Sequence, residues 1–577
     1  MKASGELRAL LKSIDHKSYP AYKAMAGEWN FQKYVLGIDH VQSDPYAPPS
    51  SLRVEILLQE TRLPAVYYEK DCSRIALQDF LTRRLAKQFE QYNFKAKGSG
   101  KSGLLSISRC GQEVLERSAC RITKDRLIVR FQTGFPAFGR TINAGELEKI
   151  LFEFLPRCIE NSLFYKNLDQ KKLEQAVFLA EDQEEIRKQL RKEGLSAFVA
   201  NGSVLPRKSG VSELPLSGSV AFQSPASMER TFLLPHYGEI KGMAVPQGIT
   251  LIVGGGYHGK STLLEAIQSG VYDHIEGDGR EYVITDHTAV KLRAEDGRSI
   301  RNVNISLFIN DLPNKKDTVS FTTEDASGST SQAAGVVESM EAGSRLFLID
   351  EDTSATNFMV RDQLMQQVIS RDKEPITPFI ERVRGLYEKA GISTIMVAGS
   401  SGDFFYIADH ILLMDCYRAV DITAQVKELC GKRPAPKLQT PDFIMPEFQR
   451  VLPAFKRMEG GQHGGRRGHT SGNGSRYEHM KVKVNGLESF SLDKENIIVR
   501  YLEQLTDSEQ TAALACLLRF GLEQVLDGRR TVKQVVEIIM KTLETKGWEA
   551  FCSSYVPCGL AVPREQEVYA CLNRFRG

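Results

Sequence analysis

The feature that most constrains this 577-residue chain is a glycine-rich segment between an apolar run and a helix-like pattern. The run Ile249–Val253 predicts a buried parallel strand, and the residues from Ser261 onward predict the first turn of a helix. Between them the chain has the pattern GxxxxGK[ST]. Glycines at these positions let backbone N–H groups surround phosphate oxygens at a helix N-terminus, where the helix dipole also favours an anion. The segment is therefore predicted to be a phosphate-binding loop in an α/β fold.

We expect this loop to bind ATP and Mg²⁺. Lys260 should reach the β- and γ-phosphates and contribute to catalysis, and the Ser261 hydroxyl should be a Mg²⁺ ligand. The predicted nucleotide-binding residues are Gly254, Gly255, Gly256, Tyr257, His258, Gly259, Lys260, Ser261 and Thr262.

A second Gly-Lys-Ser sequence occurs at Gly98–Ser102, but its context differs. Lys95 occupies the place of the first glycine, and no apolar strand precedes it. These differences favour an ordinary flexible hairpin loop. Its lysines, Lys95, Lys97 and Lys101, are candidates for contacting a polyanion.

A second apolar run ends in two acidic residues. Leu346–Ile349 predicts another buried strand, and Asp350 and Glu351 follow it directly. Because the carboxyl ends of parallel strands lie at one edge of a sheet, both acids should lie beside the phosphate loop. Asp350 is predicted to hold Mg²⁺, directly or through water, and Glu351 to polarise the attacking water.

A turn of small residues lies 23 residues before Asp350 and opens a predicted helix. It contains Ser327, Gly328 and Ser329, and such a turn can bind an anion. ABC-class ATPases have their signature motif at about this distance before the acidic strand. We therefore predict that these three residues bind the γ-phosphate of a nucleotide held by a partner chain.

With these motifs in place, the sequence resembles the family described as predicted ATPases of the ABC class. These are soluble bacterial proteins with a relative in a kinetoplastid mitochondrial RNA-editing complex. The resemblance covers essentially the whole chain and implies a homodimer with a role in handling RNA or another nucleic acid. Its most specific stretches are residues 39–45, 47–50, 253–264, 278–282, 291–300, 323–334, 348–362 and 374–380.

The fold class expected from these observations is α/β, with an ABC-type nucleotide-binding core and two flanking domains. The N-terminal domain should be mixed α/β, and the small C-terminal domain mainly helical. The expected boundaries are 1–165 for the N-terminal domain, 166–430 for the core, 431–476 for a Gly-rich basic linker and 477–577 for the C-terminal domain.

Composition narrows the function classes. The net charge is only +3, so binding of nucleic acid would need a local basic patch. No run approaches the roughly 18–20 apolar residues of a membrane span, so no integral membrane segment is expected. The charged N-terminal stretch and the scattered cysteines without a CxxC pair predict a cytoplasmic protein.

Two positions depart from the pattern of transporter ATPases. After the predicted strand Ser393–Ala398, Ser400 or Ser401 stands where a switch histidine is expected, and Ser400 is the catalytic candidate. A hydroxyl cannot carry a proton as imidazolium does, and loss of such a group lowers rates by about 10² to 10⁴, so hydrolysis should be slow. Asn310, at the end of the strand-like run Val303–Ile309, is the substitute for the missing Q-loop glutamine.

The interval between Lys260 and Ser327 leaves room for only a short helical arm. Arg280, Arg293 and Arg298 lie in this interval, and they either contact nucleotide phosphates or form ion pairs with neighbouring acids. Three functions stay open at this point: a homodimeric ATPase whose slow hydrolysis drives a conformational switch, a nucleotide-dependent interaction module with little turnover, and a soluble subunit of a transport system.

Overall fold

A computed structural model describes residues 2–361, 373–399, 401–433, 442–454 and 480–576. The N-terminal part is a seven-stranded sheet with the order β1-β2-β3-β4-β8-β5, and β7 also pairs with β8. The strands of this part are β1 Lys2–Ala3, β2 Gly27–Asn30, β3 Val35–His40, β4 Ser50–Leu57, β5 Leu105–Ser106, β6 Glu113–Val114, β7 Cys120–Ile122, β8 Arg126–Thr133, β9 Ala137–Phe138 and β10 Thr141–Ile142. Of these, β6, β9 and β10 lie outside the seven-stranded sheet. The helices are α1 Ser4–Ser13, α2 Leu58–Thr61, α3 Asp71–Tyr92, α4 Ala144–Lys149 and α5 Leu155–Leu163.

Alternation along β4 explains how this sheet is covered on one face. Leu52, Val54 and Ile56 are all buried, and they recur every second residue, which is the period of a strand. They join the same apolar core as Leu77 and Leu81 of α3. Packing of the sheet against this helix gives the N-terminal part a core of its own.

The central part begins with a long helix and contains two larger sheets and two short two-stranded ones. Its strands are β11 Leu195–Ala200, β12 Arg207–Ser209, β13 Ser212–Pro215, β14 Glu229–Leu234, β15 Gly238–Pro246, β16 Ile249–Val253, β17 Asp273–His274, β18 Val283–Thr285, β19 Val290–Leu292, β20 Arg298–Val303, β21 Phe321–Ala326, β22 Leu346–Asp350, β23 Ser393–Val397, β24 His410–Asp415 and β25 Arg418–Asp421. Its helices are α6 Gln170–Glu193, α7 Lys260–Ser269, α8 Gly328–Glu341, α9 Thr356–Met359, α10 Phe379–Ala390 and α11 Thr423–Gly431.

One larger sheet is antiparallel, in the order β14-β15-β11-β18, and the other is mainly parallel, in the order β19-β22-β23-β16-β24-β25. Helix α7 contributes Leu263 and Ile267 to a core that contains residues of both sheets. Helices α8 and α10 pack in a second core on the parallel sheet. Because both faces of this sheet are covered, β16, β22 and β23 are mainly apolar and are buried at every position.

The C-terminal part combines a small sheet with three helices. The strands β26 Val482–Asn485, β27 Ser489–Leu492 and β28 Glu495–Ile498 form an antiparallel meander, followed by α12 Ser508–Phe520, α13 Val532–Lys546 and α14 Glu565–Asn573. Asp507 and Gln510 form a capping box at the start of α12. The part is mainly helical as expected, with the meander as an addition.

Two local predictions are wrong. The run Val303–Ile309 is not a strand, since β20 ends at Val303 and turns follow. No helix occurs between α7 and α8, where the chain is described throughout and forms β17–β21, so the arm is not helical. In both places single apolar residues of irregular segments pack into the core on the parallel sheet, as Ile305 and Phe308 do. The sequence pattern of such residues does not distinguish them from the apolar residues of a strand or a helix.

Residues 442–454 of the predicted linker contact the rest of the molecule, while 434–441 and 455–476 lie outside the described residues. Phe443 packs on the core beside Gly385 of α10, and Leu452 joins the C-terminal core. No helix among the described residues is both long enough and apolar enough to cross a membrane.

Candidate nucleotide-binding site

The glycine-rich segment lies between a buried strand and a helix, as the sequence predicts. Strand β16 ends at Val253, and α7 begins at Lys260 with Gly259 as its N-cap in the left-handed region (φ 96°). Gly254 has φ 144°, and a Cβ there would lie 2.4 Å from the carbonyl oxygen of Met414. Only glycine fits at this close approach, so the loop begins at a fixed point on β24.

The backbone donors of this loop are unused. The N–H groups of residues 255–259 donate to no acceptor within the described part of the chain. Tyr257 is 99% exposed with φ 64°, so the loop projects into open space. A row of free N–H groups at a helix N-terminus is an arrangement that binds an oxyanion.

Lys260 lies inside the curve of the loop. Its Nζ donates to the carbonyl oxygens of Gly254, at 2.9 Å, and Gly255, at 2.8 Å. These bonds hold the ammonium group over the same concave surface that the free N–H groups line. The loop thus combines a positive charge with unpaired donors, which is the chemistry that polyphosphate binding requires.

A tight turn supports the loop from the side. Cys416 and Tyr417, between β24 and β25, both have positive φ, and the N–H of Cys416 donates to His258 Nδ1 at 3.0 Å. The N–H of Tyr417 donates to the His258 carbonyl oxygen at 3.2 Å. His258, Asp415 and Cys416 bring potential metal ligands within 4.8 Å of one another. His258 supports the loop through Nδ1, which accepts the N–H of Cys416.

The two acids lie at the carboxyl edge of the parallel sheet, next to the loop. Asp350 pairs in register with Val397, and Val397 pairs with Ile252, so the three residues form one row across β22, β23 and β16. Asp350 is buried, and its carboxylate accepts the N–H of Asp352. Glu351 Oε2 accepts the N–H of Gly399 at 2.6 Å, which fixes this carboxylate over the end of β23.

The donor set fits magnesium. The Ser261 hydroxyl at the start of α7 and the Asp350 carboxylate are both hard oxygen ligands, and one or two such protein ligands plus phosphate oxygens are typical for Mg²⁺. Lys291, on the strand beside β22, is half-buried, and desolvation lowers its pKa, although Glu503 and Asp350 oppose that shift.

The small-residue turn opens α8 as predicted. Ser327 is the N-cap, and its Oγ accepts the N–H of Thr330. Gly328 lies close to Ala294 and Asp296, where a Cβ would have contacts of 3.3 Å. Ser327 is exposed, so its hydroxyl faces away from the core of its own chain, whereas Ser329 is buried.

Gln332 is a site residue that the sequence analysis did not single out. Its Nε2 donates to Ser354 Oγ at 2.9 Å, and its Oε1 accepts the N–H of Ala355 at 2.9 Å. Gln332 therefore joins α8, the helix that the signature turn opens, to the segment that follows Asp350 and Glu351. A glutamine five residues after Ser327, in a helix of small residues, was the available signal.

The loop at residues 293–298 supports the signature turn from behind. The N–H of Glu295 donates to Ser331 Oγ at 2.9 Å, and the N–H of Ala294 donates to the Thr353 carbonyl oxygen at 3.0 Å. Gly297 donates to the Ala326 carbonyl oxygen. Hydrogen bonds therefore join three segments into one unit: the signature turn, the segment that follows Asp350 and Glu351, and the loop at residues 293–298.

The remaining predicted site residues have different outcomes. Asn310 is half-buried, and its Nδ2 donates to the Ser306 carbonyl oxygen at 2.6 Å, so its role toward nucleotide stays a prediction. Ser400 lies outside the described residues. Ser401 caps a short 3₁₀ helix by accepting the N–H of Asp403.

The three arginines of the interval are used in scaffolding. Arg298 pairs with Glu338, and Arg293 pairs with Glu503 at 2.6 Å. Arg280 donates to the Leu205 carbonyl oxygen, and burial lowers its pKa to about 10. Two of them, Arg293 and Arg298, form ion pairs, as one of the two alternatives predicted. Their partners are not the neighbouring acids that were expected but Glu503 and Glu338, which are distant in sequence.

This fold and site define a P-loop ATPase of the ABC class. Residues 169–450 match a family model for the P-loop domain of ABC ATPases, and residues 4–166 match one described as the N-terminal of ATPases of the ABC class. Residues 481–577 match the MRB1590 C-terminal domain. The chain therefore belongs to the family of ABC-class ATPases that the sequence resembles.

Among individual proteins, the chain is similar to the uncharacterized protein MJ1628 of Methanocaldococcus jannaschii. The two are 31% identical over 262 residues, which cover 43% of this chain and 57% of MJ1628. The chain thus spans a little over half the length of that relative.

Solved structures also match the chain, and they include the following two. MJ1267 in its ADP conformation, described as an ATP-binding cassette of an ABC transporter, matches at 12% identity over 42% of this chain and 96% of its own, with a TM-score of 0.25. CbiO1 from Clostridium perfringens, described as part of the transporter complex cbiONQ, matches at 12% identity over 41% and 94%, also with a TM-score of 0.25.

Proposed function

We propose that this protein acts as a homodimer that binds Mg-ATP at two composite sites. Each site would combine the phosphate loop of one copy with the signature turn of the other. The observation that carries the proposal is the row of free N–H groups at residues 255–259, found on the same chain as an exposed signature turn at Ser327. One nucleotide covered from both sides would use both sets of groups.

Catalysis in this proposal rests on positioning. Mg²⁺, held by Ser261 and Asp350, supplies charge neutralisation at the phosphates when it is bound. Glu351 holds a water in line, and the N–H of Gly399, the residue before Ser400, orients that carboxylate. A backbone N–H orients but does not exchange a proton, so turnover is slow and suits a conformational switch.

The substrate on which the switch acts would be RNA or another nucleic acid. The resemblance to a family with a relative in an RNA-editing complex supports this, together with lysines in the N-terminal part. Lys95 and Lys97 are exposed, and Lys101 is half-buried in the same loop. Such lysines bind phosphates through release of counterions.

Binding of labelled single-stranded RNA across a salt series tests the nucleic-acid part. We expect affinity to fall steeply with salt, and replacement of Lys95, Lys97 and Lys101 by Gln to reduce that slope by about one per lost phosphate contact. Replacement of Lys12, Lys17 and Lys23 by Gln is the matched control. No binding of RNA or DNA at low salt would contradict this part.

A phosphate-release assay combined with measurement of dimer lifetime tests the switch. Slow but finite ATP-dependent phosphate release, with dimers that dissociate after hydrolysis, is the expected result. A stable ATP-bound dimer with no turnover would favour the interaction module.

A further inference from the structure

A cleft with several charged side chains in its lining separates α8, the helix that the signature turn opens, from the C-terminal part. It lies between α8 and α14, beside the loop at residues 293–298. Two cavities of about 50 and 60 Å³ occupy it, and both are lined by Glu295, Arg298, Tyr501 and Arg574. A buried water requires roughly 10–15 Å³ of such space, so the cleft has room for several waters or for one small polyatomic ion.

The cleft has a surplus of hydrogen-bond donors. Arg298, Asn573 and Arg574 are only 7%, 4% and 8% exposed. Arg298 Nε, Arg574 Nε and Asn573 Nδ2, together with Nε of the less buried Arg293, have no acceptor within the described parts of the chain. In the same lining, Glu338 Oε1 is an acceptor without a donor. Buried donors without partners are rare in folded proteins, and an acceptor-rich ligand would satisfy them.

The charged side chains of the cleft also favour an anion. The lining of the first cavity has four basic side chains, Lys291, Arg293, Arg298 and Arg574, and two acidic ones, Glu295 and Glu338. Arg298 pairs with Glu338, and Arg574 pairs with Glu295. These pairs use guanidinium Nη atoms and leave the Nε donors available. Arg293 pairs with Glu503, which lies outside this lining, so the excess is the single positive charge of Lys291. That charge favours an anion over water.

We propose that this interdomain cleft binds one small phosphate-class oxyanion, with Arg298, Asn573 and Arg574 as its main donors. The site is separate from the phosphate loop and does not depend on ATP hydrolysis. It lies beside the loop that supports the signature turn through Glu295 and Ser331. The free phosphate ion and the phosphate group of a nucleotide share this chemistry.

Asn573→Asp is the sharpest test of the site. It keeps Oδ1, which accepts Arg450 Nη2 at 2.6 Å, and replaces the free amide with a carboxylate oxygen that repels an anion. The matched control is Asn485→Asp, which makes the same change on the exposed β26–β27 hairpin of the same part. Both variants are made in the full chain with Lys260→Ala, which weakens phosphate binding at the phosphate loop.

Isothermal titration with inorganic phosphate is the measurement. We expect the Lys260→Ala chain to bind one phosphate, Asn573→Asp to weaken it at least tenfold, and Asn485→Asp to leave it unchanged. If Asn573→Asp does not fold, Arg293→Gln, at a less buried position, should weaken binding severalfold. Competition by AMP at this site would identify a nucleotide as the source, and its absence would identify free phosphate.

Three results would overturn the proposal. The first is no phosphate binding, which would mean that the cleft holds only water. The second is binding that disappears with Lys260→Ala alone. The third is equal affinity in Asn573→Asp, or in Arg293→Gln where that variant replaces it, and in Asn485→Asp.

Discussion

Two loops of this molecule contain Gly, Lys and Ser in nearly the same order, but their backbone N–H groups differ in hydrogen bonding. In the loop at residues 95–103, Ser99 and Lys101 donate their N–H groups to the carbonyl oxygens of Ala137, at 2.7 Å, and Pro45, at 2.8 Å. In the phosphate loop, the N–H groups of residues 255–259 have no acceptor among the described residues. The first loop is therefore closed by its own protein, and the second is left open for a ligand.

The glycines differ in the same way. A Cβ at Gly103 would lie 2.1 Å from the Ala96 carbonyl oxygen, and one at Gly98 would lie 2.7 Å from that of Ala137. A Cβ at Gly256 would have no atom within 4 Å. Glycine in one loop allows close packing, and in the other it leaves space. In the described residues, the N–H groups of a Gly-Lys-Ser sequence therefore stay free for a ligand where a strand and a helix hold them apart from the protein.

Replacing the lysine of each loop should give the largest contrast. Lys260→Ala removes the charge inside the phosphate loop, so ATP affinity should fall by about 10² or more. Lys101→Ala should leave ATP affinity unchanged, because its loop offers no free backbone donors. Equilibrium binding of a fluorescent ATP analogue measures both. Equal losses in the two variants would contradict the distinction between the loops.

Glu351→Gln should lower the hydrolysis rate by about 10² to 10⁴ while ATP still binds. The amide keeps the size of the side chain but cannot polarise water. Single-turnover phosphate release, with the binding assay alongside, separates the two effects. Asp352→Asn, on the neighbouring residue, is the control, and wild-type turnover in Glu351→Gln would remove this residue from catalysis.

Adding one methyl group to each loop should separate ligand binding from stability. Gly254→Ala forces a side chain into a positive-φ position against Met414, so ATP affinity should fall by about tenfold. Gly103→Ala has φ 80° and a clash with Ala96, so the thermal midpoint should fall while the affinity of the remaining folded protein stays the same. Loss of ATP affinity in folded Gly103→Ala would show that the loops are coupled.

A smaller effect concerns the contact between the two parts that contain these loops. Glu181 of the central part accepts Lys70 Nζ and Ser73 Oγ of the N-terminal part, and also binds His236. Burial opposes its ionisation, but these bonds outweigh burial and lower the pKa of Glu181 to about 2. An unfolded glutamate has a pKa of about 4.3, so this contribution is complete above that pH and is lost as pH falls toward 2.

Urea unfolding of Glu181→Gln at pH 6 and at pH 4 measures this contribution. The variant should be less stable than wild type at pH 6, by about 1 kcal/mol, and the difference should shrink at pH 4. Glu184→Gln on the same helix is the control, since its partner Arg191 lies 3.5 Å away at the surface. A difference that does not depend on pH would exclude the carboxylate as its source.

The parts of the site that depend on buried strands were predictable, because an apolar run such as Leu346–Ile349 fixes the direction and edge of its parallel neighbours. The strand proposed at Val303–Ile309 failed because its apolar residues pack from turns. The support of His258 by the Cys416–Tyr417 turn had no sequence signal, since it depends on two adjacent non-glycine residues with positive φ. The interdomain cleft could not be predicted from the sequence either, because its lining residues Arg298, Glu338, Tyr501 and Asn573 are far apart in the chain.

The central claim is that each ATP site is shared by two copies of the chain, and mixing two inactive variants tests it most directly. Lys260→Ala disables the phosphate loop. Ser327→Asp keeps the helix cap but places a negative charge at the signature turn, and Ser327→Asn is its neutral control. In a mixed dimer, one site combines an intact loop with an intact turn, so the mixture should recover about a quarter of wild-type hydrolysis. A mixture as inactive as the separate variants would contradict the shared site.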